Sequence, residues 1–383
     1  MKVTKTIDDC FYFIQNGANI KQSKIDGGYP ITRIETISND RFNRDKMGYA
    51  GITDLTNYSN YILENDDLLM SHINSPQYLG RTILYKKKKG ETIIHGMNLL
   101  RLKANTELIK PSYARYVFYS NSFRQQIIKI TKKSVNQASF SVNDLKKIKL
   151  ELPEIKEQQN IVNKLDKISN IIDLKTKKLR LLDELVKARF VEMFGDPILN
   201  DKDWKISTFD DLTYIITDGE HSTPKRTNQG IYLLSARNIL NHRLHLEDVD
   251  FIDKNEFERI AKRVFPQEGD VLLSCSGTVG RCCIVPKNFK FQMVRSVALL
   301  RFKEEINPLF AEYMITSDYL QRQIDKAKTS SSQANLFQGK IKTLKGIVPP
   351  IELQSQFSDF VQQVDKSKFM NVRMICKFKK NVR

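Results

Sequence analysis

The feature of this sequence that most constrains its fold is an internal repeat. The stretch Ser134–Gln158 (SVNQASFSVNDLKKIKLELPEIKEQ) resembles the stretch Ser330–Gln354 (SSSQANLFQGKIKTLKGIVPPIELQ). Five identities share one constant offset: Gln137 with Gln333, Ala138 with Ala334, Pro153 with Pro349, Ile155 with Ile351 and Gln158 with Gln354. A repeat of this kind indicates two copies of one folding unit, so it decides how every other element is interpreted.

Weaker matches precede this stretch in the same order in both halves. They pair Gly28–Ile34 with Gly230–Ala236, Asp67–Ser71 with Asp270–Ser274, Leu99–Lys103 with Leu299–Lys303, and Tyr113–Val117 with Phe310–Met314. The offset drifts by a few residues, as insertions in loops would produce. Because the order is preserved along a whole half of the chain, chance similarity between lysine-rich segments does not explain the matches.

Each copy combines predicted strands with predicted helices. Composition predicts strands in the first copy at Asp67–Ser71, Arg81–Tyr85 and Glu91–His95, and in the second at Asp270–Ser274, Arg281–Val285 and Met293–Phe302. A proline near the start predicts the helices Pro111–Ile130 and Pro308–Ala327. Short closing strands are predicted at Lys146–Leu152 and Lys342–Val348.

A long amphipathic helix is predicted from Asn160 to Met193, between the copies. Apolar residues recur at spacings of three and four, which is typical of a coiled-coil seam. The predicted seam and partner-contacting residues are Ile161, Leu165, Ile168, Ile172, Leu179, Leu182, Val186 and Phe190, followed by Met193. Such a helix spans roughly 50 Å, and Gly195-Asp196-Pro197 would end it. An ordinary core-facing helix is the alternative.

The fold class that follows is α+β, with two mixed α/β domains separated by long coiled-coil-forming helices and duplicated about a pseudo-two-fold axis. The predicted segments are a first domain (1–152), a central helical region (153–196), a second domain (197–348) and a second helical region (349–383). After Val364-Asp365-Lys366 the composition changes and no heptad is sustained. We therefore expect the second helix to break off near Lys366, as a truncated copy of the first.

The net charge favours a nucleic-acid partner. The chain carries 62 Lys and Arg against 44 Asp and Glu, a formal net charge of +18, and a field of that sign attracts polyanions. A lysine-rich genomic composition is the alternative. No apolar stretch reaches the length of a membrane span. The five cysteines form no CxxC spacing, which indicates reduced thiols in a cytoplasmic protein.

Motifs for catalysis or metal binding are weak. Asn74–Tyr78 (NSPQY) is a poor version of an adenine-methylase pocket, and Ser276–Gly280 lacks the strand-loop-helix context of a cofactor loop. Gly339-Lys340 lacks the other residues of a phosphate loop. His242 and His245 have HxxH spacing without a third ligand, so polar loop histidines are the favoured interpretation. We expect no metal site.

Candidate DNA contacts are Arg, Lys, Asn, Ser and Thr side chains in polar loops, because such groups reach phosphates and base edges. For each of them an ordinary solvated surface is an equally good interpretation, and the loops are stronger candidates as groups. The candidates are Arg41, Asn43, Arg44, Lys46, Arg81, Ser222, Thr223, Lys225, Arg226, Arg237, Asn238 and Arg281.

This arrangement of two domains and two long helices resembles a known family, the specificity subunits of type I restriction-modification systems. The segment LPEIKEQQNIVNKLDKISNIID, followed by LVKARFVEMFGDP, is similar to the central conserved region of that family. The segment DGEHSTPKRTNQGIYLLSARNI (Asp218–Ile239) resembles the opening of a target recognition domain. The resemblance covers nearly the whole chain.

The resemblance implies a subunit that binds a bipartite, asymmetric double-stranded DNA site through two target recognition domains. It implies docking of two modification subunits, which bind S-adenosylmethionine and methylate adenine. It also implies restriction subunits that use ATP and Mg²⁺. The chain itself would carry no cofactor and no catalytic site, because base extrusion and methyl transfer would belong to the partner.

Two other functions stay open at this level. A standalone DNA-binding decoy or antagonist would occupy the modification subunit without supporting activity, and the unusual tail after Lys366 is the reason to consider it. A fused methylase is disfavoured because no length is left for a catalytic domain.

Overall fold

A computed structural model describes residues 2–23, 27–134, 137–196, 198–329 and 334–382. Gln333 and Pro197, used above for the repeat and for the end of the long helix, lie outside these residues. The chain divides into two compact units, one formed by residues 1–175 with 373–383 and the other by residues 176–372. The division passes through both long helices, and the segment boundaries given above stay a prediction.

The first domain is built on a four-stranded antiparallel sheet. Its strands lie in the order Phe11–Asn16, Leu99–Ala104, Leu68–Ser71 and Thr82–Leu84. Smaller strands are Val3–Thr6, Pro30–Ile31, Gly48–Tyr49, Ile73–Asn74, Lys132–Lys133, Ala138–Ser139 and Lys149–Leu152. The α-helices are Ile7–Cys10, Pro111–Val117, Asn121–Ile130 and Val142–Lys146, and short 3-10 helices lie at Ile34–Asp40, Arg44–Lys46, Thr56–Tyr61 and Pro76–Tyr78.

The second domain repeats this sheet. Its strands lie in the order Thr213–Asp218, Val297–Phe302, Val271–Ser274 and Cys282–Ile284. A second four-stranded sheet comprises Arg226–Thr227, Asp250–Ile252, Ile231–Leu234 and Phe291–Met293. The other strands are Lys205–Thr208, Ile239–Leu240, Arg243–Leu244 and Lys345–Val348. The helices are Phe209–Leu212, the 3-10 helix Ala236–Asn238, Lys254–Ala261, Pro308–Thr316, Asp318–Ala327 and Gln338–Lys342.

The repeat is visible in single hydrogen bonds. Gln158 is buried, and its amide accepts from the backbone N–H of Lys110 and donates to the carbonyls of Leu108 and Pro153. Gln354 makes the same three bonds in the second copy, with Asn307, Glu305 and Pro349. A buried amide needs its partners, so a glutamine at this position is required in both copies. The duplicated α+β architecture is confirmed.

Two long helices follow the domains, Ile155–Phe194 and Ile351–Val382; we call them the first and second long helix. Within residues 176–372 they pack against each other. Phe357 stacks edge-on with Phe190 at 5.4 Å between ring centroids, and Lys368 Nζ lies 2.8 Å from Asp183 Oδ1. From the first contact to the second, the residue number rises in one helix and falls in the other, so the two helices are antiparallel. The predicted helix pairing is confirmed here.

The second long helix does not break near Lys366, and that expectation was wrong. The helix continues to Val382. One row of buried positions comprises Phe357, Val361, Val364, Asn371 and Ile375, and the half-buried Lys368 completes its spacing of four and three. The apolar spacing of the sequence did not predict this seam, because two of its positions, Lys368 and Asn371, are polar.

Four further element predictions were wrong. Glu91–His95 forms only two isolated bridges, from Ile94 to Ile31 and to Ile62, because its backbone groups bond to three separate segments and build no ladder. Pro111–Ile130 and Pro308–Ala327 are each two helices, since Ser120 and Ser317 stay extended and begin a new helix. Met293–Phe302 is divided by a turn after Met293.

Candidate nucleic-acid interface

In the first domain the structure joins the predicted basic loop 41–46 to a turn of four lysines, residues 86–89. The guanidinium of Arg44 donates to both carboxylate oxygens of Glu91, over 2.8 and 2.7 Å, and to the carbonyl of Lys86 over 3.0 Å. This forked bond raises the pKa of Arg44 and lowers that of Glu91 to about 2. Arg44 therefore fastens the loop 41–46 to the lysine turn 86–89, and its own donors are largely committed.

The neighbouring predicted residues have different roles. Asn43 caps the short helix after it, accepting from the backbone N–H of Asp45. Arg41 is exposed and pairs with Asp173 over 2.6 Å, and Lys46 is exposed. Arg81 lies over the ring of Tyr78, at 4.6 Å. Lys46 and the lysine turn are thus an exposed basic part of this domain.

In the second domain Arg226 and Arg237 meet at one carboxylate. Arg226 Nε lies 3.0 Å from Asp250 Oδ2, and Arg237 Nη2 lies 3.0 Å from Asp250 Oδ1. Asp248 is a further partner of Arg237, at 3.6 Å. Ser222, Thr223 and Lys225 are exposed on the same loop as Arg226. The structure thus joins the two predicted groups into one polar surface.

Two predicted contact residues of this domain are held by backbone bonds. Asn238 is completely buried, and its amide bonds to Ser235, His245 and Asp248. Its side chain shapes the loop and is not presented to solvent. Arg281 is half-buried, and its backbone N–H donates to Ser274 Oγ over 2.9 Å. The functional assignment of the twelve predicted residues stays a prediction.

A cleft of about 410 Å³ in the first domain was missed by sequence reasoning. Its walls come from segments far apart in the chain, and its lining residues are Ile20, Gln22, Arg33, Ile34, Glu35, Met97 and Asn98. Arg33 and Glu35 face each other at 3.5 Å. No local motif could have indicated this cleft, because only the fold brings residues 20–35 to residues 97–98.

His242, of the HxxH motif, contacts a carboxylate and an aromatic ring. His242 Nδ1 lies 3.1 Å from Glu312 Oε2, and its ring stacks on Tyr313 at 4.2 Å. No cluster of three metal-ligating side chains occurs in the described ranges. Over the same ranges no helix combines the length and apolarity needed to cross a bilayer.

The first long helix carries a buried seam and a separate exposed stripe. Val186 and Phe190 are buried, and Leu182 packs against the same core. Ile161, near the start of the helix, packs against the core of the first domain. Of the other predicted seam residues, Leu165, Ile168, Ile172 and Leu179 are half-buried and Met193 is buried. Leu181 and Leu185, by contrast, are about half exposed. At about 100° per residue they lie on a different face from the seam.

Known proteins are similar to this chain in sequence and in fold. A family model described as the type I restriction modification DNA specificity domain matches twice, at residues 2–184 and 201–373. The MjaX specificity subunit of a type I restriction enzyme from Methanocaldococcus jannaschii is 29% identical over 94% of this chain and 86% of its own length. The MjaVIII specificity subunit of the same organism is 20% identical over 89% of this chain and 80% of its own length.

A solved structure has the same architecture. The type I restriction-modification S subunit of M. genitalium superposes with a TM-score of 0.60 at 15% identity, over 100% of this chain and 94% of that one. A chain from a structure of type I R-M complex assembly gives a TM-score of 0.59 at 14% identity, over 100% and 95%. With two copies of its characteristic domain, the chain belongs to the family of type I restriction-modification DNA specificity subunits.

Proposed function

We propose that this chain binds a bipartite, asymmetric DNA site, with one half-site for each domain, and directs adenine methylation and restriction by partner subunits. The observation that carries the proposal is the contrast within the repeat. The central four-stranded sheet and the buried bonds of Gln158 and Gln354 are the same in both copies, whereas the polar loops differ. Identical frameworks with unlike loops are suited to reading two unlike sequences.

The loops provide the chemistry for that task. Exposed Lys46 and the lysine turn 86–89 can neutralise phosphates, which supplies affinity without sequence information. In the second domain the Ser, Thr, Lys and Arg side chains of residues 222–226 supply both phosphate and base-edge donors. The net charge of +18 supports the same partner.

The long helices provide the surface for protein partners. Two modification subunits, one for each copy, fit a duplicated chain. Exposed Leu181 and Leu185 offer apolar area that the helix pair leaves uncovered, and apolar area buried on association stabilises a complex. Restriction subunits would join through the modification subunits.

The chain contributes recognition, and chemistry belongs to its partners. We expect S-adenosylmethionine on the modification subunits, and ATP with Mg²⁺ on the restriction subunits. DNA recognition, methylation and restriction would take place in the cytoplasm. The decoy hypothesis rested on a broken second helix, and the continuous helix Ile351–Val382 removes that reason.

Co-expression with the modification subunit, followed by native mass measurement and a methylation assay, tests the proposal. We expect two modification subunits for each chain and methyl transfer only by the complex. Methylation by the isolated chain, or tight sequence-specific binding by a chain that takes up no partner, would contradict it.

A further inference from the structure

A turn in the second domain holds one arginine outward. The turn Val294–Val297 separates two strands and is closed by a 3.0 Å bond from the N–H of Val297 to the carbonyl of Val294. The N–H of Arg295 donates to the carbonyl of Glu220 over 3.0 Å. Ser296 Oγ accepts from the N–H of Ala236 over 3.0 Å. Two distant segments therefore fix the backbone that carries Arg295.

The first domain contains the same turn with a different side chain. The N–H of Met97 donates to the carbonyl of Ala18 over 3.1 Å, which matches the bond from Arg295 to Glu220. Ala18 in turn donates to the carbonyl of His95 over 2.8 Å, as Glu220 does to that of Met293. Met97 and Arg295 therefore occupy equivalent positions of the two copies.

Both side chains are available to a ligand. Arg295 is exposed, and no carboxylate within ion-pair distance of it belongs to a described residue. This separates it from Arg226 and Arg237 of the same domain, which share Asp250. Met97 is 39% exposed.

The surroundings of the two turns also differ. In the first domain Met97 borders the cleft that contains Arg33 and Glu35. Arg33 and Ser235 each precede a 3-10 helix, and the backbone N–H of each donates to a side chain three residues later, that of Thr36 and that of Asn238. Two residues after Arg33 the first domain has Glu35, and two residues after Ser235 the second domain has Arg237. The two copies thus carry side chains of opposite charge at this equivalent position, each paired with a neighbour of the other sign.

We propose that this turn presents a base-reading side chain in each domain. Arg295 would donate its guanidinium fork to O6 and N7 of a guanine, and Met97 would pack on the methyl group of a thymine, the pairings that these side chains favour in the major groove. The inference deepens the proposed function and rests on it. It names one specificity-determining position in each half-site.

The complex with the modification subunit is the material for the test. It is incubated with a pool of randomised duplexes, and the bound fraction is sequenced. In the Arg295→Met variant, which copies the first domain, we expect one guanine of one half-site to lose about tenfold to a hundredfold in preference. The Met97→Arg variant should gain a guanine preference at one position of the other half-site.

Arg295→Lys keeps the charge but lacks the fork, so it should lose the guanine preference while keeping its affinity for unrelated DNA. Lys287→Met, an exposed lysine of the same domain, is the control that leaves both half-sites unchanged. If Arg295→Met weakens binding to all duplexes equally and leaves the selected sequence intact, Arg295 contacts phosphate and the inference is wrong. If the unaltered complex selects no sequence at all, the proposed function itself fails.

Discussion

Arg101 Nε donates to Asp67 Oδ2 over 2.7 Å, and both side chains are only 2% exposed. Burial raises the pKa of Asp67 although the arginine opposes it, as expected where the loss of hydration outweighs the ion pair. Arg301 and Asp270 form the same pair in the second domain, through bonds of 2.8 and 2.7 Å, with the arginine 24% exposed. One pair thus joins two central strands in each copy.

Removal of the arginine should destabilise the first domain more than the second. Arg101→Met leaves a buried carboxylate without its partner, and we expect a loss of about 3–5 kcal/mol in the free energy of unfolding. Arg301→Met should cost less, because Arg301 is 24% exposed and water already reaches the pair from the side of the arginine. Trp204, the single tryptophan, lies in the second unit, so its fluorescence follows that unit and circular dichroism follows both. Equal losses in the two variants would contradict this account.

The first domain should lose stability in acid because of two buried histidines. Burial lowers the pKa of His72 to about 4 and that of His95 to about 3, below the ordinary value of about 6.5. As the pH falls, these two histidines therefore bind protons in the unfolded chain before they do so in the folded chain. The stability is fully present above about pH 6.5 and is lost as the pH falls toward 4 and 3.

The second copy supplies matched variants for that prediction. Backbone bonds place Cys275 at the position of His72 and Met293 at that of His95. His72→Cys with His95→Met should flatten the fall in melting temperature between pH 6.5 and 4. An unchanged slope would show that these histidines do not control acid unfolding.

The helix pair should depend on its aromatic seam. Phe190 contacts Phe194, Phe310 and Phe357, with centroid distances of 4.9 to 5.8 Å. Phe190→Ala should cost about 3–5 kcal/mol, measured by Trp204 fluorescence during denaturant unfolding. Val191→Ala, at the exposed neighbouring position, should stay within about 0.5 kcal/mol. Similar losses in both variants would exclude the assigned seam.

The leucine stripe should determine partner binding without affecting the fold. Leu181→Glu with Leu185→Glu places two charges on an exposed apolar surface, so we expect the melting temperature to be kept and co-purification of a modification subunit to be lost. Lys187→Glu is the control on the same helix. Full retention of both modification subunits by the leucine variant would mean that docking uses another surface.

The sequence predicted those features that recur within the chain. The match of Gln158 with Gln354 became two identical sets of buried bonds, and the apolar spacing of Val186 and Phe190 became a seam. It failed where a pattern was interrupted by a polar residue. Asn371 is buried within the seam, where its amide donates to the carbonyl of Ser367, and no apolar periodicity could reveal it.

Contacts between distant residues also escaped prediction. Arg44 looks like a free cation in sequence, yet its partner Glu91 lies 47 residues away. The equivalence of Met97 and Arg295 depends on backbone bonds to Ala18 and Glu220 rather than on any shared residue type. Such positions become visible only when the two folded copies are compared.

The most direct measurement is methylome sequencing of a host in which residues 200–340 have been exchanged for the equivalent domain of another specificity subunit. If each domain reads one half-site, the methylated sequence should change in one half and keep the other half. A methylated sequence altered in both halves would contradict the account of two independent readers on one duplicated frame.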